Sequence, residues 1–197
     1  MLLDQLKERF EEPIQTIQVG NETIGFIKLN GARGTVLCTM DLGAYQMPVP
    51  SIYESEARIE LYFLLPEYWE TSIENELFNW AVNRLIAIKN YLKTDHWAIS
   101  GNTFSLGEIP SGRFKEVGFA ALLLLDPMAV EELKLPVQLG EKFRYFKVLT
   151  PVFKMEKDVK EARGLTKFIH RMMDKGVTEK LDEFREPVIK PRFLFWR

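Results

Sequence analysis

Seven apolar residues in a row, Phe119-Ala120-Ala121-Leu122-Leu123-Leu124-Leu125, end abruptly at Asp126-Pro127. Side chains alternate between the two faces of a strand, so a stretch with no polar position leaves neither face for water. The run is far shorter than the about 20 residues a membrane-crossing helix needs. It predicts an inner strand over 118–125, covered on both sides.

The rest of the chain supplies its neighbours. Residues 14–19, 23–29 and 35–40 read as an antiparallel meander, because Gly20-Asn21 and the loop opening Asn30-Gly31 provide the positive φ of tight hairpins. Residues 57–65 put Ile59, Leu61, Phe63 and Leu65 on a dry face and Arg58, Glu60, Tyr62 and Leu64 on a mixed one. Pro66 ends that strand, and Thr71-Ser72-Ile73-Glu74 has the form of a capping box. A helix over 73–92 should follow, with Ile73, Leu77, Trp80, Ala81, Leu85, Ile88 and Leu92 at helical spacing. Residues 97–104 surround Gly101 after a turn at Asp95. A further strand over 143–150 stops at Pro151. Met155, Val159, Ala162, Leu165, Ile169 and Met173 mark a last long helix interrupted at Gly164, where a bend or a close approach to the sheet is expected. Leu3, Leu6 and Phe10 mark a short first one, and the apolar end Phe193 to Trp196 reads as an added edge strand. The loop over 41–55 is too short for a linker and nothing repeats. The pattern predicts an α+β fold in one domain over 1–197: a mixed, largely antiparallel central sheet flanked by helices.

Charge is unevenly spread. Residues 1–100 hold 8 Lys and Arg against 14 Asp and Glu, whereas residues 101–197 hold 18 against 14. Glu54, Glu56, Glu60, Glu67, Glu70, Glu74 and Glu76 share one stretch with a single base, Arg58. Clustered like charge can steer a basic partner; it also suits a solvated surface and a helix start. The basic residues of 154–186 alternate with acids, so no stripe fit for nucleic acid appears. One cysteine, Cys38, excludes a disulfide framework and a zinc site of several thiolates. With charges breaking up the N-terminal apolar residues, no secretory signal is expected, and a cytoplasmic location is.

Catalytic material is sparse. Cys38 lies inside Val36-Leu37-Cys38-Thr39-Met40, where a thiol behaves as a core hydrophobe. Nothing brings it to His96 or His170. No His-Glu-x-x-His, Gly-x-Ser-x-Gly, phosphate loop or dinucleotide fingerprint occurs, and no cofactor or metal is expected. Glu74/Glu76 and Glu131/Glu132 are pairs only in sequence. An enzyme using Cys38 or a carboxylate pair in a cleft stays as an alternative, as does self-association through the apolar end. Aromatic side chains say more, since Tyr and Trp anchor interfaces. Tyr68, Trp69, Trp97 and Trp196 are candidates, whereas Trp80 belongs to the helix stripe and reads as core.

Arg58-Ile59-Glu60-Leu61-Tyr62-Phe63-Leu64-Leu65-Pro66, then Trp80 and its helix, then Trp97-Ala98-Ile99-Ser100-Gly101-Asn102-Thr103, resemble the Suppressor of Fused-like domain family. The resemblance runs on through Leu122-Leu123-Leu124-Leu125-Asp126-Pro127, Tyr145-Phe146-Lys147-Val148-Leu149-Thr150-Pro151, Glu156, Gly164-Leu165 and Leu181-Asp182-Glu183-Phe184-Arg185, covering about residues 30–186. It implies a noncatalytic α+β domain that binds protein. Animal members grip a transcription-factor peptide between this domain and a second one, for which 197 residues are expected to leave no room. Bacterial single-domain members include immunity proteins that neutralise toxins, and this sense fits the chain better. At Asn102, beside Gly101, animal members carry an acidic residue that contacts the peptide. The expected protein-binding residues are therefore Glu60, Glu67, Tyr68, Trp69, Glu70, Glu74, Trp97 and Asn102, facing a protein partner such as a basic toxin domain, with no nucleic acid and no membrane.

Overall fold

The computed structural model describes residues 2–189. Its elements run α1 (Leu2–Arg9), β1 (Ile14–Val19), β2 (Glu22–Lys28), β3 (Thr35–Thr39), β4 (Ile59–Leu65), α2 (Glu76–Leu92), β5 (Thr103–Phe104), α3 (Arg113–Glu116), β6 (Phe119–Leu125), α4 (Glu131–Lys134), β7 (Val137–Leu139), β8 (Lys142–Phe153), α5 (Lys154–Arg163) and α6 (Leu165–Asp174). The apolar run is β6, buried at every residue except Ala120. It lies one strand in from the edge of a mixed sheet ordered β1-β2-β3-β4-β8-β6-β5, with β7 pairing a separate stretch of β8. The meander is antiparallel as expected; among the described strands the parallel pair joins β4 to β8, from Ile59 opposite Tyr145 to Tyr62 opposite Val148.

Both faces of the sheet are covered, which is why β6 needs no polar side. Ile24, Phe26, Leu37, Leu61 and Phe63 pack against Phe78, Ala81, Leu85 and Ile88 of α2. On the opposite face Ile27, Val36, Tyr62, Leu64 and Val148 meet Leu2 and Leu6 of α1, Leu133 of α4, and Phe168 and Met172 of α6. Each large apolar side chain so buried contributes about 1.5–3 kcal/mol. β4 lies at the middle of the order, and all seven of its residues are buried. The mixed face expected for it is therefore absent, because α1, α4 and α6 close the side left open in the sequence reading.

Other boundaries moved for local reasons. α2 begins at Glu76 rather than at 73: Asn75 is its cap, its side-chain oxygen accepting from the Leu77 and Phe78 N–H groups at 3.1 Å each. Ser72 closes only a turn before it, accepting from the Glu74 N–H. In α1 the buried stripe is Leu2, Leu6 and Phe10, one turn-position off the expected Leu3. β8 continues through Pro151 to Phe153. Arg185 donates to the Pro151 carbonyl at 2.6 Å, so the backbone groups of that residue point away from β6, and the N–H that proline lacks is one the ladder does not use. The last long helix is two, α5 and α6, broken at Gly164 with φ +87°. Nothing stands within 4 Å of where its Cβ would be, so it makes a bend and no close approach. Gly34 is the tight spot: a Cβ there would sit 2.1 Å from the Leu65 carbonyl oxygen. The expected strand Phe193 to Trp196 falls outside the described residues, and Trp196 with it.

After α6 the chain crosses back over the end of β4. The Leu181 N–H donates to the Leu64 carbonyl at 2.8 Å. Arg185 clamps Glu156 with two bonds of 2.9 and 2.6 Å. This return carries residues 182–184 up to the loop that leads into α2.

Candidate functional site

The expected binding residues separate into three places. Glu67, Tyr68, Trp69, Glu70 and Glu74 follow β4, in the loop that leads into α2. Trp97 and Asn102 precede β5. Glu60 is in the core.

Glu60 corrects the surface reading. It is 0% exposed, and its carboxylate accepts from the Thr39 hydroxyl at 2.6 Å, the Leu42 N–H at 3.1 Å, the Gly43 N–H at 3.0 Å and Arg144 at 3.2 Å. Burial nevertheless pushes its pKa above the ordinary carboxylate value. Its work is to fix the turn after β3. Glu56 also leaves the acidic stretch, as an acceptor for the nearly buried Lys147.

The remaining acids gather where the start of α2 meets the 110–114 segment. Glu70, Glu74, Glu76 and Glu183 line a groove of about 450 Å³, in which Arg113 is the one base. Beside it, around Glu183, stands an aromatic cluster. The Tyr68 hydroxyl, whose ring is 48% exposed, reaches Asp182 at 2.7 Å and Glu183 at 2.8 Å, and the Trp69 indole N–H donates to Glu183 at 2.9 Å. Burial, then these two carboxylates, push the Tyr68 phenol's pKa up. Phe184 stands edge-on to Tyr68 at 5.4 Å, and Arg113 caps Phe184 at 4.3 Å. Glu67 lies outside the groove, paired with Lys180 at 3.1 Å. Trp69 itself is buried, so it holds Glu183 in place while Tyr68 faces outward. Glu183 was missed in the sequence because only the return of the chain after α6 brings it here.

At the other end of α2 lies the open edge of the sheet. β5 is the last strand in the order and, among the described residues, pairs only with β6. The Leu124 N–H donates to the Asn102 carbonyl at 2.9 Å. The Asn102 N–H turns back to the Ile99 carbonyl at 3.0 Å, and by alternation Phe104 turns its backbone groups to β6 while Thr103 turns its own outward. Beside this edge is a cleft of about 410 Å³ between α2 and residues 97–105, with Tyr91, Trp97 and Phe104 in its walls. Trp97, 40% exposed, stacks on Tyr53 at 6.3 Å. The Asn102 side-chain oxygen accepts from the Ile99 N–H at 2.8 Å and so shapes its own loop. That loop is pinned from beneath: the Lys147 ammonium donates to Ser100 at 3.1 Å, to Asp126 at 2.6 Å and to Glu56.

The nucleophile candidates fare differently. Cys38 is 0% exposed, and burial, then the Glu60 charge, push its thiol far up, so it holds no thiolate. His96 is exposed and stacks on Tyr91 at 3.8 Å. Ser100 touches Lys147, but all three protons of that ammonium are donated and none of its electrons is free to act as a base. Among the described residues no group of three His, Cys, Asp or Glu side chains is placed to hold a metal, and no helix is long and apolar enough to cross a membrane.

A sheet covered on both faces, with an edge strand and two clefts at the ends of α2, makes an α+β scaffold. The chain belongs to the Suppressor of Fused family: the model of Suppressor of fused protein (SUFU) matches residues 11–186. A Suppressor of Fused homologue from Neisseria gonorrhoeae superposes with a TM-score of 0.65 at 13% identity, covering 96% of each chain. The Sufu–Fu complex gives 0.65 at 14% identity, over 94% of this chain and 90% of that one. Drosophila Suppressor of Fused gives 0.52 at 14% identity, over 95% of this chain and 46% of its own length. At such identities the likeness is one of fold. No functionally curated protein matches the sequence.

Proposed function

We propose that this chain is a noncatalytic protein-binding module that takes up an extended segment of its partner along the open edge of β5, and that it serves as an immunity-type protein neutralising a toxin in the cytoplasm. The observation that carries the binding reading is β5 itself, the end of the sheet, with the Thr103 backbone turned outward beside an aromatic cleft. An edge of this kind offers main-chain hydrogen bonds for affinity and a pocket for specificity. Two further points support it. A related fold is found in the Sufu–Fu complex, and the family resemblance puts a peptide contact at the position of Asn102. The toxin reading rests on that resemblance and on the acidic groove around Glu70, Glu74 and Glu183, which would attract a basic domain such as a nuclease evolved to hold phosphate. Inhibition would then be occlusion, steric and electrostatic.

The test compares wild type with Thr103→Pro. Proline removes an N–H that the β6 ladder does not use, so the fold should survive while strand addition fails. Wild type, as bait in a lysate of the source organism, should retain a stoichiometric partner that Thr103→Pro loses. Equal retention by a folded Thr103→Pro would sink the edge as the binding site. The partner, expressed alone, should arrest growth and be rendered harmless by co-expression of this chain; a harmless partner would leave binding and remove immunity.

A further inference from the structure

One side chain of the edge cleft has no business in the fold. Arg84, Ala87, Ile88 and Tyr91 form a single stripe of α2 at i, i+3, i+4 and i+7 and make one wall of the cleft; residues 97–105 make the other. Arg84 is the one charged residue in that lining. Its guanidinium lies against the backbone of Gly107, where a Cβ would stand 3.3 Å from Nη1. Its Nε is buried without an acceptor. Neither an ion pair nor a hydrogen bond to it exists among the described residues, and burial alone lowers its pKa, with no carboxylate acting to raise it. Of the other partly buried arginines, Arg33 is engaged with Glu132, Arg144 with Glu60, Arg185 with Glu156, and Arg9 and Arg58 with backbone carbonyls; Arg171 also has no partner among the described residues, but none of its nitrogens is buried. Arg84 is half-buried, and a guanidinium nitrogen buried without an acceptor costs stability.

We propose that Arg84 is an anion receptor, and that the segment added along β5 carries a carboxylate, an Asp or Glu side chain, that enters the cleft and pairs with it. The inference rests on the strand-addition reading, because the open backbone of Thr103 borders the same cleft. A guanidinium offers a planar fork of donors that a carboxylate meets with two bonds. Tyr91, Trp97 and Phe104 flank the pair and receive the apolar neighbours of the acidic residue. The cleft would thus select acidic-aromatic or acidic-aliphatic segments, while the groove at the far end of α2 attracts basic surface. The two clefts together ask for a partner with separated charges.

The test uses displayed short random peptides selected on immobilised wild-type protein, followed by binding of the enriched peptides to wild type, Arg84→Gln and Thr103→Pro. The enriched peptides should share one Asp or Glu. Changing it to Asn or Gln, or changing Arg84→Gln, should weaken binding roughly ten- to a hundredfold, and the two changes together should cost little more than either alone. Arg84→Gln should melt at the same temperature as wild type or higher, since it breaks no bond in the fold. Peptides that need Thr103 but carry no acid and ignore Arg84→Gln would overturn this inference and leave strand addition standing. Peptides indifferent to Thr103→Pro would overturn both. Thermal protection by inorganic phosphate equal to that of peptide, lost in Arg84→Gln, would make the cleft a small-anion site and overturn the peptide assignment. A lower melting temperature for Arg84→Gln would make the residue structural.

Discussion

Asp126 holds Lys147 at 2.6 Å, yet the lysine side chain is 3% exposed and the aspartate side chain 68%. The pair is lopsided: one member has surrendered its hydration, and the other has kept it. Lys147→Ala should destabilise the fold by about 3 kcal/mol, since the lysine joins residues 51–56, the loop before β5 and the end of β6. Asp126→Asn should cost less than about 1 kcal/mol. Urea unfolding of both variants distinguishes this from a symmetric pair, for which the losses would match.

The helix cap is equally open to measurement. Asn75→Ala removes the acceptor for two N–H groups at the start of α2 and should cost about 1 kcal/mol, whereas Ser72→Ala should change stability by a few tenths at most. A reversed order would return the helix start to the position read from the sequence.

Glu60 carries a pH signature. Burial raises its pKa above the 4.5 of the unfolded chain, against the opposing pull of Thr39, the Gly43 N–H and Arg144. The folded state therefore holds the proton more tightly. The stability that Glu60 contributes is fully present below about pH 4.5 and is lost as pH rises through the folded value. The stability of wild type minus that of Glu60→Gln should be largest near pH 4.5 and decline toward pH 8. A difference that grows with pH would mean that hydrogen bonding, not desolvation, dominates the site.

Cys38 should resist a thiol reagent in the native protein and react at the rate of global unfolding, because its sulfur is enclosed between the sheet and the helices of its second face. Rapid native-state labelling would restore a nucleophile to consideration.

With the partner in hand, Glu70→Lys combined with Glu74→Lys should slow association roughly tenfold at low salt and flatten its salt dependence, with little change in dissociation. Unchanged association kinetics would detach the acidic groove from recognition.

Much of the architecture could be read before any coordinates, and the reason is period. The meander, β6 and the two-sided cover it demands were all written in alternation or in its absence. Failures arose where distant chain decided the outcome. Glu60 alternates like a surface residue, and only the packing of the opposite face makes it internal. Thr71-Ser72-Ile73-Glu74 has the letters of a capping box, but Asn75 sits where the helix can start. Arg84 gives no signal in the sequence, because its missing partner can be seen only when every possible partner has been placed. The groove near Tyr68 was half legible: its acids are contiguous, whereas Glu183 arrives from over a hundred residues away.

The parallel pairing of β4 with β8 gives the molecule an order of assembly. From the N-terminus outward, α1 and β1 to β4 close on one another through short hairpins and loops, but the free side of β4, buried at every residue in the finished fold, must wait for a strand that begins at Lys142. Until the ribosome has released that strand, the nascent chain presents an apolar edge with no partner. Chains interrupted within α2, β5 or β6 should therefore be the ones that aggregate or recruit chaperones, and the protein becomes safe to release only when β8 enters the middle of the sheet.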